Sequence, residues 1–81
     1  MELEEKVMDL IRSNIEKKYV VTLQSNLRQD LAVDSFGTMM IINAIEDAFN
    51  IVVIEDDIRT LITVNDIVAL LKTKYLSRET A

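Results

Sequence analysis

An all-α fold is predicted for this 81-residue chain by three observations. Glycine occurs once, at Gly37, and proline not at all, so there are few breaks for tight hairpins. Apolar residues recur at three- and four-residue intervals over most of the chain. The two short β-branched runs, Tyr19-Val20-Val21-Thr22-Leu23 and Ile51-Val52-Val53-Ile54, have no evident partner strand and read as connectors.

The first helix is expected from Met1 to about Lys18, with Leu3, Val7, Leu10, Ile11 and Ile15 on one face. Glu2, Glu4 and Glu5 at its start and Lys17 and Lys18 at its end complement the helix dipole. Tyr19 to Val33 then loses a single period and reads as a long ordered loop, pinned by its Leu and Val side chains, with a short helical turn near Ser25 to Gln29. Loops of this length in compact domains are usually functional, and this one delivers Ser35.

The second helix should run from about Ser35 to Phe49. Phe36, Met39, Ile42, Ile45 and Phe49, with Ile41 and Ala48 flanking, form its expected inner stripe, leaving Gly37, Met40, Asn43, Glu46 and Asp47 toward solvent. Met40 is an unbranched, polarizable side chain suited to a surface that accepts partners. Gly37 early in a helix costs about 1 kcal/mol against alanine, which signals a close approach. Ile51 to Ile54 reads as a buried extended connector. Glu55-Asp56-Asp57 opens a short third helix through about Leu61. Thr63-Val64-Asn65-Asp66 is a cap-like start with Asp at the reciprocal position, and Val64, Ile67, Val68, Leu71 and Tyr75 continue one face of a last helix ending near Lys72 and Lys74. Ser77 to Ala81 reads as a frayed tail.

Composition narrows the function. The chain has neither cysteine nor histidine, which removes disulfides, thiolate chemistry, the usual general base near neutral pH and the commonest metal ligand. No metal site and no catalytic role are expected; any metal would be a weakly held screening ion. The net charge is −5, and no Lys or Arg lies between Gln29 and Ile58, whereas Asp30, Asp34, Glu46, Asp47, Glu55, Asp56 and Asp57 all do. A negative field around that half would repel nucleic acid and steer basic protein patches toward it. No basic segment precedes an apolar one at the start, and no stretch is long enough to span a bilayer, so a cytoplasmic protein without membrane insertion is expected; a monomer is expected as well.

Asp34-Ser35-Phe36 sits where the loop meets the second helix. Taken alone it reads as an ordinary cap, accepting hydrogen bonds from free amides. The alternative is a hydroxyl exposed at a helix mouth, where amides and dipole favour an attached anion. The segment Asp30-Leu31-Ala32-Val33-Asp34-Ser35-Phe36 resembles the serine motif of acyl carrier proteins, which hold acyl or aminoacyl groups on a 4'-phosphopantetheine arm. Ala44-Ile45-Glu46-Asp47-Ala48-Phe49 resembles the end of that family's second helix, and Leu61-Ile62-Thr63-Val64 the segment introducing its last one.

The resemblance covers nearly the whole chain and implies a single carrier domain over residues 1–81, a four-helix bundle with three long helices, one short helix and a long first loop. It implies covalent attachment of the arm, taken from coenzyme A, at Ser35, with Asp34 as the preceding acid. Partners would be a phosphopantetheinyl transferase and acyl-loading and acyl-transfer enzymes whose basic patches dock on Gly37, Met40, Asn43, Glu46, Asp47, Asp56 and Asp57. The sequence departs from the family at Ala32, where glycine is usual, at Phe36, where leucine is usual, and at Ile54, where proline often starts the third helix. Gly37 and Met40 replace positions that are acidic in typical fatty-acid carriers, which implies a specialised fatty-acid, lipid or polyketide-type role. Asp34-Ser35-Phe36-Gly37-Thr38 also closely resembles the motif of D-alanyl carrier proteins, leaving aminoacyl carriage as an alternative. From another class, an acidic helical interaction module without a covalent arm remains the rival.

Overall fold

A computed structural model describes residues 2–76; the tail expected at Ser77 to Ala81 lies outside the described residues. Four α-helices follow in order, α1 (Glu2–Arg12), α2 (Ser35–Phe49), α3 (Glu55–Ile58) and α4 (Val64–Leu70), the last continued by a π-helical segment Leu71–Tyr75. No strand occurs among the described residues. The chain is thus an all-α bundle, with α1 packed on both α2 and α4.

The first helix is shorter than its periodicity suggests. It ends at Arg12, not near Lys18, because polar side chains compete for its last carbonyls. Ser13 Oγ donates to the Asp9 carbonyl at 3.0 Å and Asn14 Nδ2 to that of Leu10 at 2.8 Å. Lys17 and Lys18 therefore lie in the loop, where they do not meet the helix dipole. Val7, Met8 and Ile11 still face the core, together with Ile41, Ile42 and Ile45 of α2 and Val64, Ile67, Val68 and Leu71 of the C-terminal segment.

The long loop is held by backbone pairing as well as by burial. Val21, Leu27, Leu31 and Val33 are buried. A single antiparallel bridge joins Asn26 to Thr63; Leu27 N donates to Ile62 O at 2.9 Å and Val64 N to Ser25 O at 3.0 Å. The turn that follows is built by Asn26, whose Oδ1 accepts the amides of Arg28 and Gln29, while Asp30 Oδ2 accepts the amide of Asn26 at 2.8 Å. It covers the short turn expected near Ser25 to Gln29.

Ala32 closes this turn with φ 56, in the left-handed region. A glycine is favoured at such a position, since a Cβ in that region costs roughly 1–2 kcal/mol. Ala32→Gly removes that cost but loosens the unfolded chain, so a net gain of about 0.5 kcal/mol is expected in urea denaturation. Ala32→Val is expected to lose more than about 1 kcal/mol; equal stability of all three chains would contradict the strain.

The Ile51 to Ile54 connector is extended, but only Val53 is buried, while Val52 and Ile54 are exposed. Alternation along extended backbone sends neighbouring side chains to opposite sides, and here only the side carrying Val53 is covered by the core. The third helix stops at Ile58, with residues 59–60 in a turn. The last helix starts as its sequence indicates: Thr63 Oγ1 accepts the Asp66 amide at 3.1 Å and Asp66 Oδ2 accepts that of Thr63 at 3.0 Å, a capping box with Asp in the reciprocal place.

The C-terminal segment and the start of α3 meet at Asp57. Its Oδ2 accepts hydrogen bonds from Lys74 Nζ at 2.7 Å and from the Tyr75 hydroxyl at 2.6 Å, and the same hydroxyl accepts the Ile54 amide at 3.0 Å. The Lys74 hydrogen bond first, and the Tyr75 one second, hold the Asp57 carboxyl below its ordinary range. The Asp57 hydrogen bond raises Lys74, and burial together with the Asp57 bond raises the Tyr75 hydroxyl.

A depressed carboxyl contributes stability above its unfolded pKa of about 4 and loses it as pH falls through the folded value. Raised Lys and Tyr groups contribute below about 10 and lose it as pH rises through theirs. This cluster is therefore expected to favour folding from about pH 5 to about pH 9. Thermal melts should show a shallower acid slope for Asp57→Asn than for the native chain, and superimposable profiles would contradict the assignment.

Candidate functional site

The first turn of α2 is fixed from the residue before it. Asp34 adopts φ −90, ψ −170 and caps the helix, its Oδ1 accepting the Gly37 amide at 2.8 Å. Its carbonyl accepts both the amide of Thr38 at 2.8 Å and the Thr38 hydroxyl at 3.0 Å. Removing the carboxylate leaves a helix amide without its partner, so Asp34→Ala is expected to cost about 1 kcal/mol and lower the melting temperature by about 4–8 °C. A melting temperature within 1 °C of native, on the order of experimental scatter, would show that water replaces the cap fully.

Gly37 shows what the close approach is. A Cβ there would lie 3.1 Å from Val33 Cγ1 and 3.4 Å from Asp34 Oδ1. The glycine lets the loop residue Val33, which is buried, pack directly under the helix start.

Ser35 is the first helical residue and is exposed. It opens onto a cleft of about 310 Å³ between α2 and α3, shared with Thr38 and Met39 on one side and Glu55, Ile58 and Leu61 on the other. Arg28 and Arg59 line the same cleft. Another recess, of about 420 Å³, lies by Asp34 and Gly37 and is bordered by Glu16, Tyr19 and Leu31.

The stripe expected to face inward on α2 is turned. Ile41, Ile42 and Ile45 are buried and Phe49 is half-buried, but Phe36 is 73% exposed and Met39 45%. A helix advances about 100° per residue, so an inner face set by Ile41, Ile42 and Ile45 leaves Phe36, Met39, Met40 and Asn43 on the outer one. The apolar surface beside Ser35 therefore comprises Phe36, Met39 and Met40, not Met40 alone.

The remaining residues singled out for docking divide into two groups. Met40, Asn43, Asp47 and Asp56 are exposed. Gly37, Glu46 and Asp57 have internal work: Gly37 accommodates Val33, Glu46 Oε2 accepts the Val53 amide at 2.9 Å, and Asp57 is held by Lys74 and Tyr75. The purely negative surround expected for Ser35 also needs correction. The fold returns Arg28 and Arg59, the cations that flank the cation-free stretch, to its cleft. Their position at the two ends of that stretch was the signal available in the sequence.

Comparison with known proteins bears directly on this helix start. Residues 5–71 match the family described as "Phosphopantetheine attachment site", a span that contains Ser35 and all four helices but for the first turn of α1. The chain belongs to the acyl carrier protein family. It is 35% identical over 54 residues to the acyl carrier protein of Exiguobacterium sp. (strain ATCC BAA-1283 / AT1b), covering 67% of this chain and 68% of that one. It is 29% identical over 73 residues to those of Rickettsia canadensis (strain McKiel) and Rickettsia typhi (strain ATCC VR-144 / Wilmington), covering 89% of this chain and 85% of theirs. Acyl carrier proteins are carriers and not catalysts, and their cofactor is 4'-phosphopantetheine. No helix among the described residues of this carrier is long and apolar enough to cross a membrane, and they include no group of His, Cys, Asp and Glu that could hold a metal ion.

Proposed function

We propose that this single-domain carrier presents an acyl group as a thioester on a 4'-phosphopantetheine arm attached to Ser35, for a specialised fatty-acid, lipid or polyketide-type pathway. The observation that carries the reading is the exposure of Ser35 at the first position of a capped helix, inside the span matched to the attachment-site family. Attachment needs a hydroxyl that a transferase can reach, and a helix start tolerates the phosphodiester charge left there. In that step the Ser35 oxygen bonds to phosphorus, the pyrophosphate linkage of coenzyme A breaks, adenosine bisphosphate leaves, and the hydroxyl proton passes to the transferase or solvent. The arm, once bound, supplies the thiol that bears the cargo.

The chain's own contribution is presentation. Asp34 holds the first turn of α2 open, Gly37 and Val33 fix the loop beneath it, and neither competes for the serine hydroxyl. The exposed Phe36, Met39 and Met40 offer partner enzymes an apolar contact, and Asp47 and Asp56 offer charge for their basic patches. Incubation with coenzyme A and a promiscuous phosphopantetheinyl transferase tests the reading by intact-protein mass. A gain of one phosphopantetheine is the expected result. A folded, initially unmodified chain that gains nothing would instead be an interaction module, with Ser35 reduced to part of a helix start.

A further inference from the structure

The two arginines in the Ser35 cleft are far apart in sequence and carry no part of the function described so far. Arg28 sits on the Asn26 turn, where its amide is tied to Asn26 Oδ1 at 3.0 Å, and its guanidinium has no carboxylate partner among the described residues. Arg59 follows α3; its guanidinium lies 3.2 Å from Glu55 and 3.9 Å from Asp56, both in exposed pairs. Both line the cleft onto which Ser35 opens. Glu55, on the same wall, is the opposing charge, and its contact with Arg59 uses only part of a planar group that has five N–H donors.

We propose that Arg28 and Arg59 form a two-sided clamp on the phosphodiester at the root of the arm, so that the arm leaves Ser35 along the α2–α3 cleft. The proposal rests on Ser35 being the attachment residue. A phosphodiester is a permanent anion near neutral pH, and the guanidinium is the side chain best matched to its oxygens, offering parallel donors at a charge that does not titrate. Arg28 comes from the loop turn and Arg59 from the end of α3, and the start of α2, where Ser35 sits, adds the positive end of its helix dipole. Glu55 orients Arg59 without neutralising Arg28. The apolar lining supplied by Met39, Ile58 and Leu61 gives the uncharged part of the arm a surface to follow beyond the clamp. The cation-free interval from Gln29 to Ile58 thereby has a functional form in space: the acidic surface is left for partners, and the two cations at its ends converge where an anion is installed.

The test uses apo and fully modified forms of the native chain, R28Q, R59Q and the R28Q/R59Q double variant, with modification read by intact mass and stability by thermal melting. The difference in melting temperature between modified and apo forms is the quantity compared, because it cancels what each substitution does to the apo fold. At low salt this difference is expected to be higher in the native chain than in the double variant by about 3 °C or more, with the single variants between, and the gap should close in roughly 0.5 M salt. If the transferase rejects the double variant, the two single variants make the same comparison. Equal differences in all modified chains would overturn the clamp while leaving the attachment reading intact. A native chain that gains no mass would overturn the attachment reading itself, and the clamp with it.

Discussion

Ser35→Ala is expected to abolish the mass gain on incubation with coenzyme A and transferase, and with it all thioester loading, while leaving the melting temperature within about 2 °C of the native apo chain. The effect is complete because a methyl group has no oxygen to bond to phosphorus. The small effect on stability follows from the position: Ser35 is exposed and starts a helix whose cap is Asp34, so alanine, the best helix former, removes no buried contact. The pairing of total functional loss with an unchanged fold separates attachment from a structural role. A modified Ser35→Ala chain would move the site to another hydroxyl, and Thr38, one turn along and lining the same cleft, would be the first to examine.

Leu31→Ala is expected to have the largest effect on stability. Leu31 is 1% exposed and lies in the core at the end of the turn that leads to Ser35. Truncating such a leucine costs about 2–5 kcal/mol, counting both lost burial and the cavity left behind. The total for a chain of this size is about 4–12 kcal/mol at ~0.05–0.15 kcal/mol per residue, so one side chain accounts for at least about a sixth of it. Urea denaturation should show a loss in that range with little change in slope. Modification by the transferase should fall only in proportion to the folded fraction and recover on cooling. A loss below about 1 kcal/mol would mean that the turn is held by its backbone bonds to α4 and not by Leu31.

The parts of the structure legible in the sequence are those written in neighbouring residues. Both bounds of α2 followed from the Asp34-Ser35 start and the apolar spacing up to Phe49, and the Thr63 box from a four-residue pattern. The first helix was overestimated because Ile15 keeps the period while Ser13 and Asn14 withdraw hydrogen-bonding capacity from the helix, and periodicity does not register that competition. On α2, two nearly opposite faces both carry apolar residues. One contains Phe36 and Met39, the other Ile41 and Ile45, and only packing against α1 and the C-terminal segment decides which is interior. The exposed helix start at Ser35 was legible in its local sequence, whereas its surroundings were not. Arg28 and Arg59 come to line one cleft through tertiary folding, and Asp57, Lys74 and Tyr75 come into contact the same way, and no local pattern joins either set.

The bridge between Asn26 and Thr63 has a consequence for the order of events during synthesis. The turn that positions Ser35 is stapled to the residue that opens the last helix, and that residue leaves the ribosome well after the serine does. A nascent chain with α4 still inside the exit tunnel carries the whole serine motif but cannot yet hold the geometry around it. The geometry around this helix start is thus completed only after Thr63 has been synthesised and has folded back onto the loop.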